Sequence, residues 1–259
     1  MILASTACSR LSFVKPSLER RGIERTAPEV RMTPDSYDSP AAKARLLVQQ
    51  GQSALAQGDL AEAGKAATKA IKIAPADSTA HTLTAIVAER SGESAKAGNS
   101  YRRAVELAPG QGGVANNYGT WLCGNGRAQE SLEWFDRALA DPGYRTPSVA
   151  MANAGACAAD AGDDAKAVRY LTGALQLDPE NPVALGAMAE REFRSGDAFR
   201  ARAFSQRRLS AAPADRRSLV LASQIEGKLG DTVAAERYVQ RMRAEFPATP
   251  PSGTGEYGK

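Results

Sequence analysis

A spacing of about 34 residues recurs along most of this 259-residue chain and restricts what the chain can fold into. Six glycines follow one another at intervals of 34, 34, 36, 34 and 34 residues: Gly58, Gly92, Gly126, Gly162, Gly196 and Gly230. Six prolines follow at nearly the same spacing: Pro75, Pro109, Pro142, Pro179, Pro213 and Pro247. Because glycine favours a helix break and proline a helix end, each interval predicts two helices joined by a tight turn.

The stretch from Asn116 to Pro142 shows this helical hairpin most fully. Leu122 and Phe135 are large apolar residues on the predicted inner faces of its first and second helices. Gly119 and Ala138 are small, and two helices approach closely only where no bulky side chain separates their axes. The hairpin therefore has both the filling and the clearance that close helix packing needs.

The period and the small residues are similar to those of the 34-residue tetratricopeptide repeat. The resemblance implies an all-α protein, a right-handed α-solenoid of six tetratricopeptide (TPR) helix hairpins over residues 41–249. Residues 1–8 are expected to be a residual signal or lipobox-like segment, and residues 9–40 a flexible linker, because four prolines prevent a long helix there. Residues 250–259 are expected to form a disordered tail.

Charge and motifs argue against nucleic-acid binding and against catalysis. The net charge of +4 and the pI near 9.0 come without a clustered Lys/Arg stripe, so we expect no nucleic-acid partner. His81 is the single histidine, and its place in the second hairpin favours a packed core residue over a general base. Gly110, Gly112 and Gly113 lack a preceding strand and predict a turn between hairpins rather than a phosphate site. We expect no enzyme, cofactor or metal site.

Cys123 and Cys157 lie on the predicted first helices of the third and fourth hairpins, at nearly the same level. In a reducing compartment two small buried apolar residues would be the simpler interpretation. In an oxidising compartment a disulfide could clamp the two hairpins together. Our hypothesis is the disulfide.

The first helices of such arrays line a groove in which protein partners bind. The candidate protein-binding residues are Val48, Gln52, Leu55, Thr82, Ile86, Asn116, Asn117, Thr120 and Asn153. Asn117 and Asn153 occupy equivalent places, and their amides could hold an extended peptide or bond between repeats. A lysine clamp for a terminal carboxylate is disfavoured because the corresponding positions carry no lysine.

The last hairpins depart from the pattern. Glu192 and Glu226 stand where the third hairpin has Leu122, and Ser205 and Arg208 replace a large and a small residue of the fifth hairpin. These polar residues indicate a capping or loosely packed end, unless the helix faces are misassigned by one position.

Cys8 is a candidate lipidation site because small residues precede it and apolar residues stand upstream. An incidental cysteine is the alternative, since the apolar run is short for a signal peptide and has no basic lead. A start codon upstream of Met1 would supply the rest of an export signal.

Three segments resemble the type IV pilus biogenesis lipoproteins called pilotins: Asn116 to Arg127, Asp141 to Cys157, and Ala161 to Asp163. The resemblance implies a monomeric protein, lipidated at Cys8, at the periplasmic face of the outer membrane. It also implies binding to the pilus secretin subunit, promotion of secretin targeting and multimerisation, and a family cysteine pair at Cys123 and Cys157. Without an upstream signal the location would be cytoplasmic, and a general TPR scaffold with another bacterial client is the alternative function.

Overall fold

A computed structural model describes residues 39–247, and within that range all regular structure is helical, which confirms the all-α prediction. The predicted lipidation site Cys8, the segments 1–8 and 250–259, and nearly all of the predicted linker 9–40 lie outside the described residues. The twelve described helices are α1 (Pro40–Ala56), α2 (Leu60–Ile73), α3 (Ser78–Arg90), α4 (Ser94–Leu107), α5 (Gly112–Gly124), α6 (Ala128–Ala140), α7 (Pro147–Asp160), α8 (Asp164–Leu177), α9 (Pro182–Arg194), α10 (Ala198–Ala211), α11 (Arg216–Lys228) and α12 (Thr232–Glu245). They pair in sequence order as six units.

Each unit turns at the glycine that the spacing picked out. All six turn glycines have a positive φ, between 77° and 90°, a conformation that side-chain-bearing residues rarely adopt. In four units an aspartate follows the glycine and caps the second helix by accepting a backbone hydrogen bond from its third residue. These caps are Asp59, Asp163, Asp197 and Asp231. The Gly-Asp pair therefore ends one helix and begins the next.

The units stack into a curved array. Every helix contacts its neighbours in sequence, and the first helix of each unit also contacts the first helix of the next. Second helices of neighbouring units make no such contacts within the described residues. Because the first helices approach one another more closely, they form the concave side of the stack and the second helices form the convex side.

The third unit begins earlier than its sequence pattern suggests. The prediction that Gly112 and Gly113 form a turn is wrong, because both lie in the first turn of α5. A carboxylate oxygen of Asp141 accepts a hydrogen bond from the Gly112 backbone nitrogen at 2.8 Å, which satisfies a free donor at the helix start. A Cβ at Gly112 would lie 2.7 Å from the Ala138 carbonyl oxygen, so glycine permits the close approach of α5 to the end of α6.

The unusual carboxylates of the last two units are buried in the stack. Glu192 and Glu226 are only 2% and 4% exposed, so the helix faces were correctly assigned. Arg191 and Arg200 pair with Glu192, and Arg202 forms a bidentate pair with Glu226. The end of the solenoid is thus held by charge-assisted hydrogen bonds where the third unit uses a leucine. The last helix, α12, buries only Ala234 and presents polar side chains at the end of the stack.

Candidate functional site

Four of the nine predicted groove residues are buried and belong to the packing between units. Val48, Leu55, Thr82 and Asn116 are between 5% and 9% exposed. Val48 and Leu55 join the apolar cluster that links the first and second units. These side chains cannot reach a partner in this conformation, because the neighbouring first helices pack against them.

The other predicted groove residues divide between surface and inter-repeat bonding. Gln52 and Thr120 are exposed, and Ile86 and Asn117 are half-buried. The Asn153 amide donates to the side-chain oxygens of Asn116 and Thr120, at 3.1 and 3.3 Å. Of the two roles considered for this asparagine, the structure shows the inter-repeat bond.

A covalent link lies beside this amide network. Cys123 on α5 and Cys157 on α7 form a disulfide, with Cα atoms 5.8 Å apart. The bond joins the first helices of units three and four near their C-terminal ends. Units three and four are therefore held together by stacking, by amide hydrogen bonds and by a disulfide.

A concavity lined by residues of four helices lies further along, in units four to six. We define the C-terminal groove as the space of about 260 Å³ between α7, α9 and α11, with part of α10 below it. Its floor consists of small residues, among them Ala156, Gly186 and Ala187. Pro182, Val183 and Leu221 form apolar walls. The groove is open to solvent along the concave side.

Charged side chains at the rim of the groove are mostly paired with one another. Arg217 lies 2.5 Å from Glu190, and Arg208 lies 2.8 Å from Asp215. Burial raises the pKa of Asp215, but hydrogen bonds from Ser218 and the nearby Arg208 outweigh it, so the pKa of this carboxyl is lowered overall. Most of the lining charges are thus already paired, and Asp160 and Arg194 are the two that form no ion pair within the described residues.

Comparisons with known proteins identify the architecture and the family. A tetratricopeptide repeat family model matches residues 48–112. The type IV pilus assembly protein PilF of Pseudomonas aeruginosa is 25% identical over 202 residues, which cover 78% of this chain and 80% of that protein. The solved structure of P. aeruginosa PilF superimposes with a TM-score of 0.68 at 24% identity, over 81% of this chain and 95% of that one.

The solved structure of PilW, described as a widely conserved type IV pilus biogenesis factor, is 30% identical to this chain. The match has a TM-score of 0.70 and covers 80% of this chain and 94% of PilW. This chain belongs to the PilW family of TPR type IV pilus biogenesis proteins. The predicted six-hairpin solenoid is confirmed with it.

In this PilW-family protein the residues singled out for chemistry have structural surroundings. His81 is half-buried, and its Nε2 lies 3.0 Å from the Pro75 carbonyl oxygen at the start of α3. Within residues 39–247 no group of His, Cys, Asp and Glu is arranged to hold a metal ion. No helix in the same range is long and apolar enough to cross a bilayer. TPR families act by binding proteins, and the site to consider is the groove.

Sequence reasoning missed the C-terminal groove of this PilW-family protein. Two residues of its floor, Ala156 and Gly186, are small residues on the first helices of units four and five. Val183 on α9 is 44% exposed and lines the same groove. An exposed apolar residue beside small residues on a first helix is the signal that could have found it.

Proposed function

We propose that this protein is a pilotin, which binds the secretin subunit of the type IV pilus and promotes its targeting to the outer membrane and its multimerisation. The observation that carries the proposal is the match at 30% identity that covers 80% of this chain and 94% of PilW. An apolar groove on the concave side of a TPR array is a suitable place for a protein segment to bind. Pilus biogenesis would then depend on this protein at the assembly of the secretin.

The disulfide supports a location outside the cytoplasm. Disulfides persist in oxidising compartments such as the bacterial periplasm and are rare in the cytosol. The Cys123–Cys157 bond therefore agrees with a protein at the periplasmic face of the outer membrane. We propose that lipidation of Cys8 anchors it there.

A deletion strain tests the function. Loss of the protein is expected to reduce secretin multimers that resist SDS while secretin monomers persist. Complementation with the intact chain should restore the multimers. Unchanged multimers in the deletion strain would reject the pilotin role, and a client recovered by pulldown would then identify the alternative scaffold function.

The anchor has its own test. Cys8→Ala is expected to abolish labelling with radioactive palmitate and to move the protein from the membrane fraction to the soluble fraction. Cys123→Ala with Cys157→Ala is the matched control, since it removes cysteines without touching the proposed attachment site. Continued membrane sedimentation of Cys8→Ala would exclude lipid anchoring at this residue.

A further inference from the structure

The last two units contain the positive charge of the described solenoid. Residues 182–247 contain twelve Lys and Arg against eight Asp and Glu, whereas residues 39–181 contain fourteen against fifteen. Several of the twelve cations are already bound to carboxylates inside these units. The surplus gives the end of the solenoid that contains α9 and α11 a positive field, which attracts acidic groups.

Arg194 brings this surplus to the C-terminal groove. It is the last residue of α9, it is exposed, and it lines the groove. Among the described residues no carboxylate lies within ion-pair distance of its guanidinium, unlike Arg208 and Arg217. A carboxylate of a bound segment could therefore reach Arg194 without breaking an existing pair.

The floor of the groove has room for a bulky apolar side chain. A Cβ at Gly186 would meet only the Arg208 side chain, at 3.8 Å or more, which is ordinary van der Waals contact. By contrast, a Cβ at Gly51 would lie 2.5 Å from Leu83, and one at Gly155 would lie 2.6 Å from Leu171. Packing within the chain thus accounts for Gly51 and Gly155, while Gly186 faces open groove.

We propose that the C-terminal groove binds an apolar segment of the secretin subunit that is flanked by acidic residues. This rests on the pilotin function proposed above and names the surface and the chemistry of the contact. Apolar side chains of the segment fill the space over Gly186 between Val183 and Leu221, and a flanking carboxylate pairs with Arg194. The surplus of Lys and Arg in the last two units repels a strongly basic segment.

Filling the groove tests the apolar contact. Gly186→Leu places a side chain in the open space, and it should lower the affinity for purified secretin subunit at least tenfold. Gly64→Leu is the matched control, since Gly64 lies on the second helix α2 and its Cβ would also meet only ordinary contact, at 3.6 Å from Val87. Unchanged helicity and an unchanged or higher melting temperature show that Gly186→Leu is folded. Wild-type affinity in Gly186→Leu would overturn the groove assignment and leave the pilotin function intact.

Charge reversal tests the acidic flank. Arg194→Glu should weaken secretin binding about three- to tenfold at low ionic strength, and the difference should shrink as salt is added. Arg237→Glu makes the same charge change on the last helix, α12, outside this groove, and should bind as the wild type does. Equal losses in both variants would mean that only the net charge matters and would overturn the proposed contact at Arg194.

A photo-crosslinker in place of Val183 identifies the bound segment. The expected crosslinked peptide comes from the secretin and contains apolar residues with Asp or Glu beside them. A crosslink to a second copy of this chain, or to a basic secretin segment, would overturn the proposal. Failure of the wild-type protein to bind or assemble secretin would instead refute the pilotin function itself.

Discussion

Removing the disulfide between units three and four should reveal how strongly the two halves of the solenoid depend on it. The bond closes a loop with a sequence separation of 34 residues. In the chain-entropy model a loop of that length stabilises the folded state by about 3.8 kcal/mol at 25 °C. This is a large share of the roughly 5–15 kcal/mol that separates folded from unfolded proteins.

Urea unfolding of three samples measures this contribution: the oxidised protein, the reduced protein, and the Cys123→Ala/Cys157→Ala variant. Alanine is the suitable replacement because Cys157 is 5% exposed and a serine would bury a hydroxyl. With a slope of about 2–3 kcal/mol per M, the unfolding midpoint should fall by more than about 1 M in both altered samples. Agreement between the reduced protein and the variant shows that the loss comes from the link rather than from the replaced atoms.

Trypsin provides a local measurement, since repeat arrays can unfold unit by unit. Arg145 is exposed in the connection between α6 and α7, where opening of units three and four would first expose the backbone. Cleavage after Arg145 should accelerate on reduction, whereas cleavage after Lys65, on α2 in unit one and far from the disulfide, should change little. A loss of less than about 1 kcal/mol in the free energy of unfolding would refute the reasoning. More than one reactive thiol in the denatured, unreduced protein would refute it as well.

Three further predictions concern packing, buried charge and pH. Gly98→Ala should destabilise the protein by about 1–2 kcal/mol in urea melts, because the added Cβ would lie 2.3 Å from the Trp121 ring. Gly186→Ala should instead stabilise it by about 0.5–1 kcal/mol through helix propensity alone. Equal effects of the two substitutions would contradict the clash at Gly98. Arg202→Met should lower the free energy of unfolding by about 3 kcal/mol, because it leaves Glu226 buried and unpaired. Adding Glu226→Leu should restore stability to within about 1 kcal/mol of the wild type. A double variant as unstable as Arg202→Met would contradict this. Asp141→Asn should lower the urea midpoint at pH 7 but not near pH 2. Hydrogen bonds from the Gly112 and Gly143 backbone nitrogens lower the pKa of Asp141, so this carboxyl stabilises the fold while it is ionised and the contribution is lost as the pH falls through the lowered pKa. A difference between the two proteins that persists in acid would contradict this.

The fold could be predicted in detail because its determinants are local in sequence. A glycine that adopts positive φ, an aspartate that caps the next helix and a proline beyond the helix end act within a few residues, so a count of 34 was sufficient to locate them. The start of α5 was missed because it depends on a distant group. The local sequence around Gly112 predicts a turn. The helix begins there because Asp141, almost one repeat later in the chain, accepts a hydrogen bond from the Gly112 backbone nitrogen.

The binding surface was harder to predict, because repeat position alone does not determine exposure. Val48 and Gly186 occupy equivalent places in units one and five, yet Val48 is buried in the apolar cluster between units while Gly186 lines open groove. The difference arises from the neighbouring helices and from the size of the side chains around each position. Asn153 is a similar case, since its amide could serve a peptide or the next repeat until Asn116 and Thr120 are seen to accept its hydrogen bonds.

The disulfide and the C-terminal groove share α7, and this connects stability with binding. The C-terminal part of α7 contains Cys157, which is bonded to unit three, and it also contributes Ala156 and Asp160 to the groove. If α7 moved relative to α9, it would have to become ordered when a segment binds, and this would cost conformational entropy. Because the disulfide fixes α7 to α5, it pre-organises this wall of the groove. The disulfide and the amide network both join α5 to α7, across the one junction where the spacing of the turn glycines widens from 34 to 36 residues.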